Sequence, residues 1–241
     1  MANYCCFKFR PINKYLIESL VHSVLYFPTR AKLNDPFDCN VDIMGAIDRA
    51  IRRVAGQEIE LLRKFEADQE SITRFDRGLE SIGIGSFSLT AEETLLWAHY
   101  ADDHKGVAFR YDFPEEFLND EDKILGVSSV SYDNNAISDW LSKNIAKWRD
   151  DHKSFIIGLL KKVLTSKAPS WAYEQEARIV RLKAGALEIP RTSLTHIIFG
   201  LQTTPNDEVL IRNIVNRYYD GVKFGRAVRT EEDFGLGTQE T

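Results

Sequence analysis

The chain has 241 residues, 44% of them hydrophobic and 28% charged, which is the composition of a globular protein able to bury a core without metal or disulfide staples. With 36 acidic against 31 basic side chains the formal charge is −5, which argues against a charge-driven, non-specific nucleic-acid binder. Three cysteines, two of them adjacent, do not suggest a disulfide framework, and the opening MANYCCFKFRP lacks the apolar core of a signal peptide. No apolar run approaches the ~18 residues a membrane span needs. The expected compartment is the cytoplasm, with reduced thiols and no membrane partner.

The predicted elements, in chain order, alternate short strands with blocks of helix. YCCFKF has strand composition. NKYLIESLVHS places Leu16, Leu20 and Val21 on one helical face behind a candidate N-cap, Asn13. VLYF is a second strand, and TRAKLNDPFDCN is a loop because Asp35 precedes a proline. Residues 43–81 carry an apolar stripe of Ile47, Ile51, Val54, Ile59, Leu62 and Phe65 and are expected to be helical. IGIGSFSL is a strand whose glycines allow close backbone approach. Residues 92–101 are helical, GVAFRYD and VSSVSYD are strands, and 136–165 form a second helical block. EQEARIVRL and LTHIIFG are strands, NDEVLIRNIVNRY is an amphipathic helix, VKFGRAV is the last strand, and residues 230–241 are a polar, frayed tail. Strands outside βαβ alternation predict a single α+β domain with helical insertions at 43–81 and 136–165.

No GxGxxG, Walker A, HExxH or GxSxG motif is present. Chemistry must come from short polar–aromatic clusters. In FKFR, Lys8 and Arg10 share one strand face, and Arg10 is either a solvated cation or a bidentate anion grip. In LNDPFD, Asn34 and Asp35 fix a turn, or Asn34 and Asp38 face a ligand with Phe37 anchored in the core. Ser86 and Ser88 fall on one strand face, an unusual pair unless the hydroxyls meet a ligand. LLWAHYADDHKG packs Trp97 against Ala101 and Leu96 against Tyr100. It leaves His99 unexplained by packing, and gives Gly106 a left-handed turn at the helix end. His99, Asp102, Asp103 and His104 match no common metal-ligand spacing. In WAYEQEARIVRL, Glu174, Glu176 and Arg178 are expected on one strand face, as a surface ion-pair ladder or a catalytic carboxylate with its partner.

Taken in order, FKFR, NDPFD, SFS, WAHYADDHKG and YEQEAR resemble an uncharacterised bacterial family marked by an NDPF(D/E) loop, a WAHYA segment and a YExExR strand. Its members are often found near phage-defence or toxin genes. More distantly, the order Arg10, Ser86 to Ser88, then Glu174-Gln175-Glu176 resembles the ADP-ribosyltransferase fold. That resemblance implies a split, mostly antiparallel sheet with flanking helices, and NAD as substrate. It implies Glu176 stabilising the oxocarbenium-like ribose and Glu174 orienting or deprotonating the acceptor. Arg10 would hold the NAD phosphates, Ser86 or Ser88 the ribose or carboxamide, and Tyr100 or Trp97 would stack on nicotinamide. Asn34 and His99 would lie at the site, with His99 hydrogen-bonded within the fold. The acceptor would be a nucleic acid or a protein, and a neutralising antitoxin would be a further partner. Two rivals use the same residues. One is a non-catalytic nucleotide- or partner-binding sensor. The other is a metal-dependent nuclease built on His99, Asp102 and His104, with Lys143, Lys147, Arg149, Lys153, Lys161 and Lys162 as a basic flank.

Overall fold

The structure is a computed structural model, and it describes residues 3–231 and 235–241. Strand β1 (Tyr4–Arg10) leads into α1 (Lys14–His22), where the Asn13 side chain accepts from Leu16 N, and then into β2 (Val24–Phe27). The first helical block breaks into three: α2 (Ile43–Ile51), α3 (Gln57–Ala67) and α4 (Gln69–Ser81), the last two capped against each other at Asp68. There follow β3 (Gly83–Ser88), α5 (Thr94–Tyr100), β4 (Val107–Phe113), the single turn α6 (Glu115–Leu118), β5 (Gly126–Ser129) and β6 (Ser131–Tyr132). The second helical block is the pair α7 (Ala136–Asp150) and α8 (His152–Leu164), followed by β7 (Ser166–Lys167). The chain closes with β8 (Glu176–Arg181), β9 (Gly185–Glu188), β10 (Leu194–Phe199), α9 (Pro205–Tyr218), β11 (Lys223–Arg229) and β12 (Leu236–Glu240).

Eight strands form one open sheet in the order β12-β11-β10-β4-β1-β3-β8-β5, antiparallel throughout except for β10 beside β11. Pairing across it is uneven. β1 and β4 share seven register pairs from Tyr4↔Phe113 to Arg10↔Val107, and β3 and β8 share six. Between β1 and β3 only Phe7↔Ser88 is paired. The sheet therefore divides into two wings joined at one bridge. The segment after β2 wedges into the parting, where Pro28 accepts the Ile84 amide at 2.9 Å. Gly85 makes room for it: a Cβ there would stand 2.6 Å from the Phe27 ring.

The two helical insertions, 85 residues apart at their contact between Arg53 and Ser138, pack on each other as one lobe. Its core is Ile47, Leu62, Phe65, Leu141, Phe155 and Leu159. A second core lies under α1 and α9, and a third, around Trp97 and Phe9, lies under α5. Two expectations need correction. The end of the chain is not a frayed tail in its described part, because Leu236–Glu240 pair antiparallel with β11 as the edge strand; residues 232–234 of that tail lie outside the described residues. Glu174 is not on the late strand: it ends a 3₁₀ turn over Pro169–Glu174, and left-handed Gln175 separates it from β8. Among the described residues no helix is long and apolar enough to cross a membrane.

Candidate functional site

A cavity of about 280 Å³ opens where the two wings part. Lys8 and Phe9 reach it from β1, Ser86 and Phe87 from β3, and Leu96 and Tyr100 from α5. The wedge supplies Asn34 and Asp38, while Lys167, Glu174 and Glu176 form the remaining wall. Sequence-predicted Asn34, Ser86, Ser88, Tyr100, Glu174 and Glu176 thus meet in one place.

The carboxylate wall is a closed ionic cluster. Asp38, Glu174, Glu176, Lys167 and Arg178 are all buried, with Arg178 at 0% exposure. Arg178 donates through Nε to Glu176 Oε1 at 2.7 Å and through Nη2 to Glu176 Oε2 at 3.0 Å and Asp38 Oδ2 at 2.6 Å. Its Nη1 donates to the Leu164 carbonyl at 2.8 Å and to Cys39 Sγ at 2.9 Å. All five guanidinium N–H groups are therefore committed. Lys167 Nζ donates to Glu174 Oε2 at 2.5 Å and Glu176 Oε2 at 3.3 Å, and stands 3.6 Å from Asp38 Oδ2. The two glutamates are pushed in opposite directions. Burial opposes ionisation of Glu176, yet Arg178, Lys167 and the Ser86 hydroxyl outweigh it and hold the carboxyl at about 2. Burial raises Glu174 above its ordinary value, against the pull of Lys167 and Tyr100 and with the help of neighbouring Glu176. Tyr100 donates its hydroxyl to Glu174 Oε1 at 2.7 Å and accepts from Asn34 Nδ2 at 2.8 Å. Burial and the Glu174 contact push its own ionisation far up, so it remains a donor.

Opposite this wall, Lys8 is half-buried and donates from Nζ to the Ser86 carbonyl at 2.8 Å, with the Phe87 ring centroid 4.9 Å away. Burial first, then the guanidinium of Arg10 two residues on, lower it to about 8.

Several expectations change with this geometry. The ladder of Glu174, Glu176 and Arg178 is a buried cluster rather than a surface feature, and Lys167, which the sequence reading missed, completes it. Nothing in TSKAPSW marks Lys167 beforehand, since its strand is two residues long and its partners lie seven and nine residues further along the chain. Arg10 does not line the cavity, and Lys8 from the same strand face takes that place. Ser88 is architectural: its Oγ donates to the Glu174 carbonyl at 2.7 Å and accepts from Thr90 N. Trp97 is fully buried, edge-on to Phe9 with its indole N–H on the Ala91 carbonyl, so it cannot stack on a ligand in the cavity. His99 is exposed beside Tyr100 and Tyr173 instead of hydrogen-bonded inside the fold. Phe37 is 80% exposed rather than a core anchor, although the Asp35 side chain does fix its turn. The left-handed residues after α5 are Asp102, Asp103 and His104; Gly106 is needed instead for approach to the Arg10 carbonyl, which a Cβ would meet at 2.3 Å. Among the described residues no group of three or more His, Cys, Asp or Glu side chains is arranged to hold a metal ion.

Residues 96–179 match the model of a family described as a protein of unknown function (DUF2971). The match runs from α5 through the WAHYA segment to the YEQEAR segment, less than half of the chain, and leaves the NDPFD loop outside. No curated protein and no solved structure matches the chain.

Proposed function

We propose that this protein cleaves the nicotinamide–ribose bond of NAD and passes ADP-ribose to a macromolecular acceptor, as an effector of the toxin or phage-defence type. The observation that supports this reading is a pair of glutamates, pushed apart in acidity, facing one cavity at the parting of a sheet. Glu176 is ionised at neutral pH and faces the positive charge that develops on the ribose as the C–N bond breaks and its electron pair leaves with nicotinamide. Lys167 and Arg178 hold that carboxylate in one rotamer. The acceptor nucleophile then bonds to the ribose carbon and its proton passes to Glu174, which Tyr100 orients. Ser86 and Asn34 offer hydrogen bonds to the ribose or carboxamide, and Phe9, Phe87 and Leu96 give the apolar wall that keeps water out. The test is nicotinamide release from NAD, measured beside the melting temperature. Wild type is expected to release it, and a folded Glu176→Gln is expected to be slower by ~10²–10³. Full activity in that variant sinks the assignment.

A second reading, a sensor that binds a nucleotide without cleaving it, is favoured by one observation: every donor of Arg178 is already spent inside the protein. NAD bound but never cleaved by wild type selects it.

A further inference from the structure

Two cations at the cavity have no carboxylate at ion-pairing distance among the described residues: exposed Lys32, whose ammonium donates to the Tyr26 hydroxyl at 3.3 Å, and half-buried Lys8, which cannot turn to solvent in the same way. Arg178 has no donor left, and the ammonium of Lys167 is surrounded by three carboxylates. Asp38, Glu174 and Glu176 each hold a cation. Lys8 differs. Among the described residues no carboxylate stands within ion-pairing distance of it, and its one hydrogen bond goes to a backbone carbonyl across the parting of the strands. That bond has an architectural use, since it ties β1 to β3 where the ladder has stopped. A methionine or a serine would avoid the cost of a half-buried charge there. An ammonium has three donors, so two remain for whatever enters the cavity. The next residue on the same strand face, Arg10, is a second cation and adds repulsion in place of compensation. A lysine left unpaired, beside a like charge, against a cavity wall is a group waiting for a counter-ion.

We infer that Lys8 is the anion-holding residue of this cavity, and that the ligand brings an oxyanion of the phosphate class to it. Lysine serves phosphate as a point charge, without the planar fork a carboxylate favours in arginine. The site rests on this cavity being where the ligand binds, not on NAD being that ligand. Binding requires the protonated amine, so it weakens as the pH rises through about 8. The charged and titratable groups around Lys8 are Arg10 and Cys6 on its own strand and Glu176 from β8, with Lys32, Tyr100, Asp38, Glu174 and Lys167 on the cavity walls.

The experiment is calorimetric titration with inorganic pyrophosphate at pH 7, with melting temperatures recorded for each variant. Wild type is expected to bind, Lys8→Met to bind at least about tenfold more weakly, as the loss of a charged hydrogen bond implies, and Lys8→Arg to recover much of the difference. Arg10→Ala is expected to bind as wild type does. No binding by wild type, or equal binding by wild type and a folded Lys8→Met, overturns the assignment. Pyrophosphate held through Lys8 without any NAD binding leaves this site standing and removes the transferase reading. NAD cleavage that survives Lys8→Met intact does the reverse.

Discussion

The two walls of the cavity carry similar residues and treat them differently. On the β8 wall, three carboxylates and two cations are buried and mutually satisfied, down to the last guanidinium N–H. On the β1 wall, Lys8 keeps a charge with no carboxylate at ion-pairing distance among the described residues. A satisfied buried network rigidifies what it touches, whereas an unsatisfied group costs stability unless a ligand completes it. The first wall therefore sets the position of Glu174 and Glu176, and the second leaves an opening for something from outside.

The largest break in that comparison is Arg178→Met. It leaves Asp38 and Glu176 buried with Lys167 alone to serve them, and removing one partner of a buried pair typically costs ~3–5 kcal/mol. Denaturant titration is expected to show a loss of that order. A change within ~1 kcal/mol would mean the cluster is solvated in a way its burial does not suggest.

The next effect is a pH dependence with a definite sign. Glu176 at about 2 lies below the ~4.3 of a glutamate in an unfolded chain. A lowered carboxyl contributes stability that is fully present above ~4.3 and is lost as the pH falls from there toward 2. Glu176→Gln should flatten the stability profile across that acid window, measured by urea unfolding at stepped pH. An unchanged acid limb would remove the strong pairing from the account.

The smallest effect runs the other way. Lys8 at about 8 lies below the ~10.4 of a free lysine, so the folded protein holds its charge at a cost below pH 8. Stability attributable to this group rises as the pH climbs from about 8 toward ~10.4. Lys8→Met is expected to raise the melting temperature at pH 7, with a gain in the range of about 0.5–2 kcal/mol usual for relief of such a group, and the gain should vanish at alkaline pH. A destabilised Lys8→Met at pH 7 would show that the Ser86 contact matters more than the stranded charge.

What the sequence made legible follows from what is local. Strand composition in YCCFKF, alternation in EQEARIVRL and the Asn13 cap depend on neighbours within a few positions, and each marks its element, while the apolar stripe over 43–81 marks helix that the structure divides into three. The candidate carboxylates were visible because two glutamates at a spacing of two, followed by arginine, are unusual on any strand. Their environment was not visible. That Arg178 reaches Asp38, 140 positions earlier, and that Lys167 sits between them depends on how the wedge after β2 meets β8. Lys8 and Arg10 share a strand face, and the position of the bridge at Phe7 decides which of them reaches the parting. The last strand was hidden by polar composition, since an edge strand paired on one side can be as polar as a tail.

The most direct measurement is NAD titration of wild type, Lys8→Met and Arg10→Ala side by side, at pH 7 and again well above the titration of Lys8. Wild type and Arg10→Ala are expected to bind NAD at pH 7, Lys8→Met to bind at least about tenfold more weakly, and this difference to close at high pH. Binding abolished by Arg10→Ala and untouched by Lys8→Met would contradict the assignment of Lys8.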